Sequence, residues 1–150
     1  MELITTKLAM TMDMGVSGNL FGGRMLAILD EAAAAYASQI CDCPKVLTKK
    51  IEEVVFESPV KVGNLIKVYG EVEKIGKTSI TLRLEARKLN VLSGQEKNVC
   101  STKMVFVRID EDGNPIPISE QVKTRYENRY QKYGRGLLTP EELTKETGKN

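Results

Sequence analysis

Residues 18–37, GNLFGGRMLAILDEAAAAYA, contain the segment that decides the fold. From Gly23 to about Ile40 the chain consists mainly of strong helix formers, so we expect one long helix. Its apolar residues recur at helical spacing, namely Met25, Leu26, Ile28, Leu29, Ala32, Ala33 and Tyr36. Because this helix is apolar on nearly every side, it should be buried, and the rest of the chain must enclose it. Asp30 is the exception, a carboxylate inside an apolar run.

The remaining sequence supplies strands to enclose the helix. Alternating apolar and polar residues, typical of half-buried strands, occur in 46–58, 64–76, 77–94 and 96–110. Turn sequences join successive segments, which favours an antiparallel meander. A shorter strand is expected at 6–12, before a loop at 13–23 that holds four glycines. The sequence therefore predicts an α+β hotdog fold, in which an antiparallel sheet of about five strands wraps around one long central helix.

The end of the chain is more polar than the rest. We expect the hotdog domain to occupy 1–118 and a polar, partly helical C-terminal tail to occupy 119–150. Tail helices are predicted at 119–133 and 140–147. Three tyrosines share one face of the first of these helices, and packing on the body or a neighbouring subunit explains them better than ligand contact: Tyr126, Tyr130 and Tyr133.

Composition narrows the possible chemistry. The chain contains no histidine, which excludes Ser-His-Asp and Cys-His catalysis, histidine-ligated metals and the histidine-dependent dehydratases and hydratases. Its three cysteines have neither zinc-ribbon nor redox spacing, so we interpret them as reduced thiols. Carboxylates, hydroxyls, amides and backbone N–H groups must then carry any reaction, and we expect no metal and no cofactor.

Charge and hydropathy point to no macromolecular partner. The formal net charge is +2 and the basic residues are interleaved with acidic ones, so neither nucleic acid nor an anionic membrane is expected. No apolar run approaches the ~20 residues of a membrane span, and the N-terminus lacks the pattern of a signal peptide. The expected location is the cytoplasm.

The functional candidates are the glycine pair Gly22-Gly23 at the helix start and Asp30 within the helix. The first N–H groups of a helix lack intrahelical acceptors and carry its positive dipole end, and glycine lets a ligand oxygen approach them. Such a terminus can polarise a carbonyl, while Asp30 can serve as general base or nucleophile toward an acyl carbon. The helix rises about 10 Å from Gly23 to Asp30, so one chain cannot bring both to one carbonyl. A symmetric dimer with adjacent helices can.

These residues carry a family resemblance. Residues 8–37 resemble the start of the acyl-CoA thioesterase branch of the hotdog superfamily, which includes YciA-type and brain-type acyl-CoA hydrolases. The branch has the motif Asn-x-x-Gly-x-x-Phe-Gly-Gly with an aspartate after it, matched here by Gly18, Phe21, Gly22, Gly23 and Asp30. VVFESPVKVGN at 54–64 and IGKTSI at 75–80 resemble two further family motifs, and the similarity runs from about Leu8 to Ser119.

The resemblance implies hydrolysis of acyl-CoA, with Asp30 as the catalytic carboxylate acting across a dimer interface. The family's asparagine falls on Gly15, so Ser17 or Asn19 is the candidate to replace its amide. Thr48 matches a family threonine and is a candidate for orienting water. Coenzyme A phosphates require cations and backbone amides, for which the candidates are Lys77, Thr78, Ser79, Lys49 and Lys50.

The predicted fold also bears on the oligomeric state. A single sheet around one helix leaves apolar surface and strand edges uncovered, so a homodimer is expected, and the resemblance suggests a trimer of dimers. The loss of the family's asparagine at Gly15 motivates one alternative, a non-catalytic acyl-CoA-binding sensor or regulator. A purely structural dimerisation domain is the other.

Overall fold

A computed structural model of the chain describes residues 1–133, with side chains as far as Asn128. It consists of an antiparallel six-stranded sheet and two helices. The strands are β1 (Glu2–Leu8), β2 (Val46–Ile51), β3 (Val55–Phe56), β4 (Leu65–Ile75), β5 (Ser79–Leu89) and β6 (Glu96–Arg108). The helices are α1 (Gly22–Cys41) and α2 (Glu120–Tyr133).

Helix α1 is the long helix that the sequence predicts, with a boundary shift of one residue at each end. Its buried residues follow the predicted spacing, and they are Met25, Ile28, Leu29, Ala32, Ala33, Tyr36, Ala37 and Cys41. The helix ends where Asp42 takes a left-handed conformation with φ of 51°, and the Asp42 N–H bonds the Ser38 carbonyl. The apolar stripe faces the sheet, and the opposite side of α1 is less covered.

The strand order in the sheet is β1-β4-β5-β6-β2, and the short strand β3 also pairs with β6. The predicted meander is correct for β4, β5 and β6. It is wrong for the segment at 46–58, which breaks into β2 and β3 and pairs with β6 rather than with β4. Alternation identifies a strand but not its neighbour, and residues 57–64 carry the chain across the sheet instead of closing a hairpin.

The first strand also differs from the expectation. Strand β1 begins at Glu2 and ends at Leu8, so the prediction of a strand at 6–12 is displaced toward the C-terminus. Residues Thr11–Asp13 form a 3-10 turn instead. The physical reason is local, because the Asp13 carboxylate accepts a hydrogen bond from the Met10 N–H at 2.9 Å and bends the chain away from the sheet.

The core lies between α1 and the concave face of the sheet. The largest side chains there are almost fully buried, with relative exposures of 0% or 1%, and include Met25, Leu29, Ile66, Leu82, Met104 and Phe106. Burying a Leu, Ile, Met or Phe side chain contributes roughly 1.5–3 kcal/mol each. This packing fixes the height of α1 above the strands. No helix within residues 1–133 combines the length and the apolar character needed to cross a bilayer.

Helix α2 matches the first predicted tail helix and packs on the body. Its Val122 is 2% exposed, and the Tyr126 hydroxyl donates to the Val72 carbonyl at 2.7 Å. Arg125 forms an ion pair of 2.7 Å with Asp42, just beyond the end of α1. Tyr126 therefore packs on the body of the domain, which agrees with the prediction that the tyrosines serve packing rather than ligand contact.

The structure describes only part of the predicted C-terminal tail. The second tail helix at 140–147 and the side chains of Tyr130 and Tyr133 fall outside the described residues. The division into a domain at 1–118 and a tail at 119–150 stays a prediction.

Candidate active site

Asp30 is half-buried on α1 and faces strand β2. The Thr48 hydroxyl donates a hydrogen bond of 2.7 Å to Asp30 Oδ1, so the structure joins two residues that the sequence proposed separately. The register of β2 against β6 shifts between Thr48 and Lys50, next to this contact. One carboxylate oxygen is thereby anchored, and among the hydrogen bonds of residues 1–133 none engages the other oxygen, Oδ2. An anchored carboxylate with an available oxygen suits a general base or a nucleophile.

Asp30 shares the less covered face of α1 with Gly23 and Ala27, which precede it by seven and three residues. At the start of this face lies a groove of about 540 Å³, whose lining includes Gly23, Ala27, Met12, Val16 and Phe21. Met12 is 82% exposed and Phe21 is 62% exposed. Small helix residues beside exposed large apolar side chains form a surface on which another chain can pack closely.

The N-terminus of α1 has N–H groups without an acceptor among residues 1–133. Phe21 is the residue before the helix and provides no side-chain cap. The Phe21 carbonyl accepts hydrogen bonds of 3.0 Å from the N–H groups of Arg24 and Met25. The N–H groups of Gly22 and Gly23 come before these first intrahelical donors in the chain. A β-carbon at Gly23 would lie 2.9 Å from the Phe21 ring, and one at Gly22 would lie 3.4 Å from the Phe56 ring. Both aromatic rings therefore pack closely against the glycine pair.

A second cleft, of about 360 Å³, lies beside Gly22. Ser17 and Asn19, the two candidates for the family's missing amide, both line it. Its apolar lining comes from Leu20, Met25, Phe56, Pro59, Val60 and Val99. Ser17, Asn19 and Gly22 thus line one cleft, and their place around a thioester carbonyl stays a prediction.

The Gly22 cleft and the Asp30–Thr48 pair are separate within one chain. Eight residues of helix rise about 12 Å from Gly22 to Asp30. The pairing with β6 shows the same separation. Thr48 pairs with Phe106, whereas Phe56, which lines the cleft, pairs with Cys100, six residues earlier on β6. The cleft and the Asp30–Thr48 pair therefore lie at different places along α1, and their roles as two half-sites stay a prediction.

The predicted coenzyme A contacts fall in two places. Lys49 and Lys50 are exposed on β2 immediately after Thr48, and Lys50 pairs with Glu52 at 3.4 Å. Both lysines therefore border the Asp30–Thr48 pair.

Lys77 and Thr78 belong instead to the turn between β4 and β5, and Ser79 is the first residue of β5. Phe106 of β6 pairs with Thr48 of β2 on one side and with Ile80 of β5 on the other. Because Ile80 is next to the turn, the turn lies about two strand spacings, roughly 10 Å, from Thr48. The structure does not bring these three residues to the Gly22 cleft of the same chain. Their assignment to coenzyme A stays a prediction.

Comparison with known families decides the class. Residues 17–93, about half of the chain, match the model of the Thioesterase superfamily. This chain belongs to the thioesterase superfamily. The resemblance drawn from the sequence and the predicted hotdog fold are both confirmed.

Individual relatives within the thioesterase superfamily agree with this assignment. The chain is 32% identical over 123 residues to the acyl-CoA thioester hydrolase YciA of Salmonella typhimurium, covering 80% of this chain and 92% of that protein. A hexameric hotdog fold thioesterase of Campylobacter jejuni has a TM-score of 0.75 and 32% identity, covering 85% of this chain and 97% of that one.

A third relative is an aspartate-to-alanine mutant of a hexameric broad-specificity acyl-coenzyme A thioesterase. It has a TM-score of 0.80 and 26% identity, covering 89% of this chain and 98% of that one. Each comparison thus spans most of both chains.

The thiols of this thioesterase-superfamily chain are unsuited to nucleophilic chemistry. Cys41, Cys43 and Cys100 are all free and buried. Burial raises the pKa of the Cys41 thiol to about 12 and that of Cys100 to about 11, so both stay protonated at neutral pH. The half-buried Asp30 is therefore a better placed nucleophile or base than any of the three thiols.

Asp13 is a residue of the site region that the sequence analysis missed. Its side chain is 2% exposed, and besides the Met10 N–H its carboxylate accepts a hydrogen bond from Arg24 Nε at 2.8 Å and contacts Lys7 Nζ at 3.3 Å. The Met10 hydrogen bond, followed by that of Arg24, lowers the Asp13 pKa to about 2. Asp13 thereby ties β1, the glycine loop and the first turn of α1 together. The available sequence signal was an acid between methionines in a loop rich in small residues.

Proposed function

We propose that this protein hydrolyses acyl-CoA thioesters to the free carboxylic acid and coenzyme A. The observation that carries the proposal is the half-buried Asp30, anchored by Thr48 on the open face of α1. Membership of the thioesterase superfamily and the activity named for the Salmonella typhimurium relative support the same reaction.

The proposed site combines two chains. Asp30 of one chain faces the Gly22/Gly23 terminus of the other, whose N–H groups polarise the thioester carbonyl. The roughly 12 Å rise between Gly22 and Asp30 within a helix supports this arrangement, because one chain cannot supply both groups to one carbonyl. A symmetric dimer would contain two such sites.

In the proposed reaction Asp30 removes a proton from water while the water oxygen bonds to the acyl carbon. The carbonyl oxygen becomes an oxyanion held by the helix N–H groups. Collapse of this intermediate breaks the C–S bond, and the proton held by Asp30 passes to the sulfur of coenzyme A. Alternatively, Asp30 attacks the acyl carbon itself, which breaks the C–S bond and expels coenzyme A as a thiolate. Water then cleaves the resulting anhydride to the carboxylic acid and the Asp30 carboxylate, and the proton it releases passes to the thiolate. Neither route calls on a cofactor or a metal.

We further propose a homodimer that assembles into a trimer of dimers. The exposed Met12 and Phe21 beside Ala27 support a partner chain on the open face of α1. Two solved relatives are described as hexameric, which fits three dimers. Lys49 and Lys50 at one half-site, with Lys77, Thr78 and Ser79 at the turn, remain the proposed contacts for the phosphates of coenzyme A.

Turnover of a panel of acyl-CoA thioesters by three proteins tests the proposal. Wild type should release coenzyme A, whereas Asp30→Asn should lose activity by about 10²–10⁴-fold, the usual contribution of a positioned acid or base. Glu31→Gln is the matched control, since Glu31 is the neighbouring exposed acid of the same helix, and it should stay close to wild type.

Two results would contradict the proposal. Equal rates for wild type and Asp30→Asn would remove Asp30 from the chemistry. Acyl-CoA binding by wild-type protein in calorimetry, without turnover of any thioester in the panel, would instead favour the non-catalytic sensor or regulator.

A further inference from the structure

The Asn19 side chain carries a buried polar atom that nothing satisfies. Within the described part of the chain, Asn19 Oδ1 is buried and has no hydrogen-bond partner. An unpaired buried acceptor destabilises the fold, so a folded protein that keeps one calls for an explanation. The atom belongs to a residue that lines the 360 Å³ cleft beside Gly22.

The backbone on both sides of Asn19 is fixed. The Asn19 carbonyl accepts the Gly15 N–H at 2.8 Å, and the next residue, Leu20, donates to the Val60 carbonyl at 2.8 Å. Gly18, immediately before Asn19, has a φ of 79°, which closes the turn and favours glycine there. The backbone that carries the carboxamide is therefore fixed beside the cleft, so the Asn19 side chain stays within reach of a ligand there after a change of rotamer.

Two other polar side chains of the cleft already have partners. The Ser58 hydroxyl donates to the Asn98 carbonyl at 2.7 Å, and Glu57 accepts a hydrogen bond from Asn98 Nδ2 at 2.7 Å. Asn19 Oδ1 is instead an acceptor whose hydrogen-bonding capacity is unused in the described structure. A ligand that satisfies it must bring a donor, such as an N–H group.

We propose that Asn19 binds the substrate through an amide N–H of its pantetheine arm. This inference rests on the proposed function, because acyl-CoA carries two secondary amides in the arm that leads to the thioester. The cleft suits such an arm, since it combines the apolar side chains of Phe56, Met25 and Val60 with Asn19, whose buried Oδ1 has no hydrogen-bond partner within the described residues. The neighbouring Gly22 places the arm next to the helix N-terminus where the carbonyl is polarised.

The test is Asn19→Ala, with Asn128→Ala as the matched control because Asn128 is exposed on α2. Asn19→Ala should raise KM for acyl-CoA about tenfold or more, the effect of one lost hydrogen bond, and change kcat by less than threefold. Its Tm should equal or exceed that of wild type, because the substitution removes an unsatisfied buried group. Asn128→Ala should leave KM and kcat unchanged.

Two outcomes would overturn the inference. A KM for Asn19→Ala within twofold of wild type would show that the carboxamide does not contact substrate. A fall of several degrees in Tm would show that it serves the fold instead. These failures are distinct from failure of the proposed function, which would appear as wild-type protein without turnover or as full activity of Asp30→Asn.

Discussion

At the scale of single residues, the hydrogen bond from Thr48 to Asp30 fixes the orientation of the Asp30 carboxylate. The two residues are far apart in sequence and meet at 2.7 Å because β2 lies beside α1. In the proposed reaction Thr48 would act through Asp30 rather than on the substrate, as a positioning residue.

Replacing Thr48 by valine keeps the side-chain shape and removes the hydroxyl. We expect kcat to fall about 10- to 150-fold with little change in KM, since a hydrogen bond to a charged group contributes about 1.5–3 kcal/mol. Steady-state kinetics across an acyl-CoA panel measure both parameters. Thr48→Ser restores the hydroxyl and should recover most of kcat, and a serine variant as slow as valine would argue against this role.

Sequence reasoning identified Asp30 because a carboxylate in an apolar helix demands a reason. The Gly22-Gly23 pair stood out for a local cause as well, because glycine at a helix start lets a ligand oxygen approach the first N–H groups. Asp13 and Phe56 did not stand out, because the partners that define them come from other elements. Residues whose environment is local can be found in a sequence, whereas those defined by tertiary contacts need the fold.

At the scale of elements, the glycine loop between β1 and α1 depends on one buried carboxylate. Asp13 accepts hydrogen bonds from Met10 and Arg24, and its pKa falls from an ordinary 3.8 to about 2. Because the folded pKa is depressed, the stability from ionised Asp13 is complete above about pH 4. It is lost as the pH falls from there through the folded pKa.

Asp13→Asn should therefore lower the free energy of unfolding by about 1–2 kcal/mol at pH 7. The deficit relative to wild type should shrink as the pH falls from 4 toward 2, where the wild-type carboxylate becomes protonated. Urea titrations at several pH values measure it. Asp112→Asn, at an exposed turn position, is the control and should stay near wild type, and a pH-independent deficit in Asp13→Asn would contradict the account.

Elements were predicted better than their arrangement. Periodicity placed α1 within one residue at each end and found the long strands, because side-chain burial imposes period 3.6 or 2 on the sequence. It assigned the segment at 46–58 to the wrong neighbour, since pairing with β6 is decided by the crossover at 57–64. It also displaced β1, whose end is set by the Asp13 hydrogen bond to Met10.

At the scale of the whole molecule, a site shared between chains makes a prediction that single variants cannot test. Asp30→Asn disables one half-site, and Gly23→Val covers the helix N–H groups, with a β-carbon 2.9 Å from the Phe21 ring. Each variant alone should be nearly inactive. Mixed at random in equal amounts, half of the dimers are hybrids with one intact site of two, so about a quarter of wild-type activity should return.

Co-expression of the two variants, followed by activity measurement and sedimentation, provides the test. The assembled protein should sediment like wild type, which guards against loss of assembly. Activity no higher than that of the separate variants would place both groups of each site in the same chain.

The strand order of the sheet also bears on how the chain folds. Strands β4, β5 and β6 follow one another and pair as neighbours, whereas β1 joins β4 from far away in sequence, Glu2 with Gly70 and Leu8 with Leu65. Closing so long a loop costs more entropy than closing a hairpin. During synthesis the β1 segment must therefore wait for its partner until β4 has been made, and β2 must wait in the same way until β6 has been made.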